Sequence, residues 1–116
     1  SVDAFSPKEE AIAERVEARW RAMAKRDFAA AYLFTLPSYR VTHTEEQFSS
    51  RFGAAVKWGV ARVLGIRYDS PTTAQVRLAL EAEYVPTSGG PAEQVVTRLD
   101  ETWLERDGTW FYSVTR

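Results

Sequence analysis

The segment from Glu101 to Trp110 ends in Asp107-Gly108-Thr109-Trp110. An Asp-Gly pair is the strongest short signal for a two-residue hairpin turn, because both positions tolerate positive φ. Such a turn pairs Arg106 with Thr109, Glu105 with Trp110, Trp103 with Tyr112 and Glu101 with Val114. Leu99, Trp103, Tyr112 and Val114 then share one face of a sheet, and Glu101 lies among them. A carboxylate on an apolar face is the setting in which general bases for enolisation or dehydration are found. The plainer alternative is that Glu101 sits near a sheet edge or pairs with an arginine such as Arg62 or Arg98, since one bulge turns it to the other face.

Other residues with chemical potential are fewer. His43 is the single histidine, set between two threonines at a helix start, where an exposed cap-region role is the simpler reading. One histidine cannot build a histidine metal triad. Glu81, Glu83 and Glu93 would have to converge to hold a metal, and Glu81 and Glu83 at a spacing of two read as a solvated strand face. Ser88-Gly89-Gly90 lies between Pro86 and Pro91 and precedes a strand pattern rather than a helix, so it is not a phosphate loop. Ser38, His43 and Asp69 supply the residue types of a hydrolytic triad, but no nucleophile elbow accompanies them. The chain has no cysteine, which excludes thiol catalysis, thiolate metal sites and disulfides. No cofactor motif is present, and the expectation is none.

Positioning these groups falls to helices followed by strands. Ser6, Pro7 and Glu9 have the spacing of a capping box with proline in the first turn. Ile12, Val16, Trp20 and Met23 then recur as one apolar stripe, with Glu17 and Arg21 expected to pair on the outer side. A second helix is expected from an Asp27 cap, with Phe28, Ala31 and Tyr32 on one side, ending before Pro37. Pro37-Ser38-Tyr39 reads as a turn, with Arg40 bonding backbone carbonyls or a carboxylate within it. A third helix starts at Thr42 or Thr44, both with capping-box spacing, carries Phe48 and Phe52, and stops at Gly53.

Alternation then takes over. Strands are expected over 56–68, 73–85, 93–105 and 109–115, with bulges at Gly59 and Gly65 and turns at Asp69-Ser70-Pro71, Pro86 to Pro91 and Asp107-Gly108. In the second strand Ala74, Val76, Leu78, Leu80, Ala82 and Tyr84 take one face, and Gln75, Arg77, Glu81 and Glu83 the other. Helices followed by a meander specify an α+β domain with helices on one face of a curved antiparallel sheet.

Composition bounds the function classes. With 116 residues, 45% of them hydrophobic, the chain suits one domain with one core, here taken as 1–116 with residues 1–6 as a flexible tail. Fifteen basic against sixteen acidic residues, dispersed, leave no electrostatic footprint for nucleic acid or an anionic membrane. The longest apolar run, Phe28 to Phe34, is far short of the ~20 residues a spanning helix needs. The chain starts Ser-Val-Asp-Ala-Phe, which fits removal of a signal peptide or a trimmed start. A periplasmic or otherwise exported location is favoured over the cytoplasm.

The element order and three local patterns resemble the nuclear transport factor 2-like superfamily, which includes ketosteroid isomerase-like and SnoaL-like proteins and scytalone dehydratase. The patterns are Asp27-Phe28 with Ala31-Tyr32 after a long amphipathic helix; Leu36-Pro37-Ser38-Tyr39-Arg40 before Thr44-Glu45-Glu46-Gln47-Phe48; and Glu101-Thr102-Trp103 before Asp107-Gly108 and Trp110. They span residues 8 to 115 and are similar to those of small bacterial members, often exported. The resemblance implies a cone-shaped, cystatin-like fold of three N-terminal helices on about four long strands. It implies neither substrate nor activity, because the fold carries isomerases, dehydratases, hydrolases and non-catalytic modules alike.

Within that cone Trp20, Tyr32, Phe34, Tyr39, Trp58, Tyr84, Glu101, Trp103 and Tyr112 are the expected lining of a small, mostly apolar pocket. The first functional expectation is a non-catalytic module that binds a small apolar ligand or assembles, as a homodimer through the outer sheet face. The alternative is a cofactor-independent isomerase, dehydratase or cyclase with Glu101 as base and Tyr32, Tyr84 or Tyr112 donating to an oxyanion. The strands over 56–68 and 73–85 carry no aspartate at the acidic pocket positions such relatives are expected to use, which favours the first reading.

Overall fold

The computed structural model describes residues 5–114. Four helices, α1 (Pro7–Ala24), α2 (Phe28–Tyr32), α3 (Pro37–Thr42) and α4 (Glu45–Ser49), precede four strands, β1 (Val56–Ser70), β2 (Thr73–Tyr84), β3 (Glu93–Arg106) and β4 (Thr109–Tyr112). The strands form one curved antiparallel sheet in the order β1-β2-β3-β4, so the protein is α+β.

Helix α1 begins as its sequence dictates. The Ser6 side chain accepts from the Glu9 amide at 3.2 Å while the Glu9 carboxylate accepts from the Ser6 amide at 3.0 Å, satisfying two end donors reciprocally. Ser6 is therefore a cap rather than part of a loose tail, and Phe5 packs against the core; residues 1–4 lie outside the described residues. The helix ends in a Schellman arrangement: the Asp27 amide bonds Ala22 O, the Arg26 amide bonds Met23 O, and Arg26 holds φ 57°. Ile12, Val16, Trp20 and Met23 are all buried, each burial worth about 1.5–3 kcal/mol.

Pro37 opens α3 rather than a turn, so there are four helices where three were expected. Proline at the first helical position loses no helical hydrogen bond and presets φ. Thr42 is consequently the last residue of α3, and the Thr44–Gln47 capping box starts α4. That helix ends at Ser49, four residues short of Gly53.

The sheet curves because β1 is longer than its partner. Its register against β2 slips between Trp58 and Ala61, Val63 and Gly65, and Tyr68 and Ser70, and each extra residue bends and twists the strand. Two slips fall at the expected glycines. The third keeps Asp69 and Ser70 in the strand. By contrast β2 and β3 pair without interruption from Thr73↔Leu104 to Tyr84↔Glu93. The β3–β4 hairpin turns at Asp107 (φ 55°) and Gly108 (φ 82°), the paired positive angles of a type I′ turn. Strand β4 is short, so Glu101 has no ladder partner at Val114.

The inner face carries Trp58, Val63, Ala74, Val76, Leu78, Leu80, Trp103 and Trp110 against α1. A second layer of rings joins the small helices to the sheet. Phe28 stacks on Phe52 at 5.4 Å, and Phe52 meets Phe48 and Trp58 edge-on at 5.3 and 5.6 Å.

Candidate functional site

Glu101 lies inside, 6% exposed, opposite Val76 and one position from Asp100 on the outer face. Its carboxylate takes three hydrogen bonds. Oε2 accepts from Arg19 at 3.1 Å and from the Trp20 indole at 2.9 Å, and Oε1 accepts from the Trp103 indole at 3.0 Å. Arg19, itself buried, lies 3.8 Å from the Tyr112 ring centroid and 5.0 Å from that of Trp20. Its Nε has no hydrogen-bond partner among the described residues. The centre of the protein is thus an ion pair boxed by three aromatic rings.

The arginine that neutralises Glu101 is neither Arg62 nor Arg98 but Arg19, on α1. Its position has a signal in the sequence. Ile12, Val16, Arg19 and Met23 follow helical steps of four, three and four, so Arg19 sits on the buried stripe by geometry alone. A charged residue there demands a buried counter-charge.

The expected pocket residues separate. Trp20, Glu101 and Trp103 are core, and Tyr112 covers Arg19. Trp58 joins the ring layer. The single Tyr32 hydroxyl proton lies within reach of two carbonyls, Arg40 O at 3.2 Å and His43 O, tying α2 to α3. Phe34 lies under Arg15, 4.5 Å from its centroid. Tyr39 stacks on His43 with centroids 4.1 Å apart and planes 3° apart. Tyr84, on the inner face by alternation, is the last residue of β2 and is exposed. None of the three tyrosine hydroxyls expected as oxyanion donors is among the hydrogen-bond partners of Glu101.

Prominent surface depressions lie elsewhere. The largest of four, about 670 Å³, runs between α1 and β1, walled by Glu10, Glu14, Glu17, Arg21 and Arg62. One of about 490 Å³ sits on the outer sheet face over Gly59, between Lys57, Glu81, Glu83, Gln94 and Val96. Another on that face lies by Arg77 and Asp100, and the fourth, about 400 Å³, by Tyr39, His43, Gln47, Arg51 and Val114. Of the expected lining only Trp58 and Tyr39 touch any of these.

Two further expectations resolve differently. Glu17 does not pair with Arg21: its carboxylate accepts from the Val63 amide of β1 at 3.1 Å. Arg40 takes no carbonyl; its guanidinium lies against Phe111 at 5.9 Å, with Nε buried and unpartnered among the described residues. The His43 ring contacts Thr42 Oγ1 and Tyr39 O rather than Ser38 or Asp69.

The outer sheet face is polar with apolar islands. Arg77 forms a two-pronged bond to Asp100 at 2.9 and 3.2 Å, and Thr102 donates to Gln75, which donates to Asp69. Hydrogen bonding to Arg77 holds the Asp100 carboxyl below its ordinary value, and Asp100 in turn raises Arg77. Between these groups Val60, Leu64 and Val96 stand exposed, Val60 at 63% and Val96 at 68%. Compared with known proteins, the chain matches no family model and no curated sequence.

Proposed function

We propose that this is a non-catalytic assembly module of the nuclear transport factor 2-like kind, self-associating through its sheet. The observation that carries the reading is a contrast between faces. Inside, where an enzyme of this kind would keep its base, the candidate carboxylate is buried and already accepts hydrogen bonds from Arg19 and two indoles. Outside, Val60, Leu64 and Val96 stand exposed on the sheet, apolar side chains open to a partner surface.

Sedimentation equilibrium across a range of concentrations tests it. The expected result is a concentration-dependent dimer; a monomer throughout overturns the reading. For the alternative, an isomerase or dehydratase using Glu101, sterol-like and polyketide-like compounds should raise Tm. Stabilisation by such a compound that is lost in Glu101→Gln would replace the assembly reading with the enzymatic one.

A further inference from the structure

Sheet edges in this protein are treated unequally. On β1, three register slips break the edge, and Glu17 occupies the Val63 amide. On β4, the Tyr112 amide bonds Phe34 O, Tyr112 O accepts from Leu36, and Trp110 O accepts from the Arg15 Nε at 3.0 Å. Both are recognised ways of blunting an edge against strand addition. The first half of β3 has neither: β4 reaches only Trp103 in the ladder, and Ser113 adds one bond, to Thr102 O.

Which groups are bare follows from the alternation of an antiparallel ladder. Tyr112 turns its amide and carbonyl away from β3, so its partner Trp103 turns towards β2, and odd residues of β3 do the same. Even residues face the open side, as the Thr102 bond to Ser113 shows. The amides and carbonyls of Gln94, Val96 and Arg98 therefore point out, with no hydrogen bond among the described residues. The stretch contains no bulge and no proline.

Resting on the assembly reading, we infer that a second copy of this chain docks on this edge, β3 antiparallel to its counterpart across a two-fold axis at Val96. Continuous-sheet pairing keeps side chains on matching faces, which requires even residues opposite even residues. Centring on Val96 sets it against its own copy and Gln94 against Arg98, about six backbone hydrogen bonds in all. The side chains fit. Arg98 is exposed, faces Ala79 on β2 and has no acidic partner among the described residues. Across the axis it arrives beside Gln94, next to Glu83 and the acidic wall of the 490 Å³ trough. Val96 meets its own copy side by side on the axis, and two four-stranded sheets become one of eight.

Cysteine scanning tests this cleanly, because the chain has no cysteine. Directly opposed strand residues lie ~5.5 Å apart, within disulfide reach. Under mild oxidation Val96→Cys should form a covalent dimer rapidly and Val60→Cys, on the same face at the far edge, should not. Amides of Gln94, Val96 and Arg98 should gain hydrogen-exchange protection as concentration rises, and Val96→Lys should weaken the dimer at least tenfold. A dimer that crosslinks through Val60→Cys while those amides stay unprotected overturns the edge contact and leaves the assembly reading standing. A monomer at every concentration removes both.

Discussion

Asp100 and Glu101 are neighbours in β3, both acidic and both bonded to an arginine at about the same distance, 2.9 Å for Asp100 and 3.1 Å for Glu101. One residue of strand alternation places them on opposite faces. The outer pair sits in water, where solvent screens the attraction and side-chain entropy offsets it. The inner pair is buried, so each charge depends chiefly on the other, and the carboxylate also on the two indoles. Similar contact distances therefore carry unequal consequences, and the two-pronged outer pair is expected to matter less than the single inner bond because of its surroundings.

The largest expected effect comes from breaking the inner pair. Glu101→Gln keeps an acceptor oxygen for one indole only, turns an NH2 towards the other and strands the Arg19 charge, and should cost roughly 3–5 kcal/mol in urea unfolding. Adding Arg19→Met should recover most of that loss. A double variant as unstable as the single one would show that the pair is not the reason.

Removing one indole donor is milder. Trp103→Phe leaves Oε1 without its bond and a small void, a loss of about 1–3 kcal/mol; no change would mean that Arg19 and Trp20 suffice to hold the carboxylate. Next comes the edge cap. Glu17→Ala should cost about 0.5–1.5 kcal/mol and raise hydrogen exchange at the Val63 amide, while Glu17→Gln should keep that protection.

The outer pair should matter least. Its contribution has a defined pH dependence, because the Asp100 carboxyl is held low by Arg77. Folding gains from it above the ordinary aspartate range and loses the gain as pH falls through the depressed folded-state value. Asp100→Asn should therefore be close to wild type in Tm at pH 7, with any deficit vanishing in acid. A deficit rivalling that of Glu101→Gln would erase the distinction between the faces.

Local features are legible in the residues themselves. Ser6 and Thr44 capping boxes, the Asp27 cap, the Asp107-Gly108 turn and the alternation of β2 each depend on residues within four positions of one another. Helix α3 escapes such a reading because Pro37 serves a turn and a helix start equally well. Strand parity raises an inner-face position for Glu101 but does not fix it, since one bulge turns the residue to the other face. It does not identify the partner, since Arg19 is 82 residues away and arginines elsewhere in the sheet look equally able to reach it.

The expected pocket illustrates the same limit. The aromatic types and the strand parity are readable, but whether rings line a space or fill it depends on how helices settle against a curved sheet. Three extra residues in β1 bend it over α1, and the rings close on one another. Sequence periodicity determined α1, the four strands, their order and which face of each is apolar, because those rest on short-range geometry. Only the tertiary structure decided that Glu101 meets Arg19, that Glu17 and Arg15 cap two sheet edges, and that the first half of β3 stays open. Each is a contact between distant segments, selected by the burial of charge and of unpaired backbone groups.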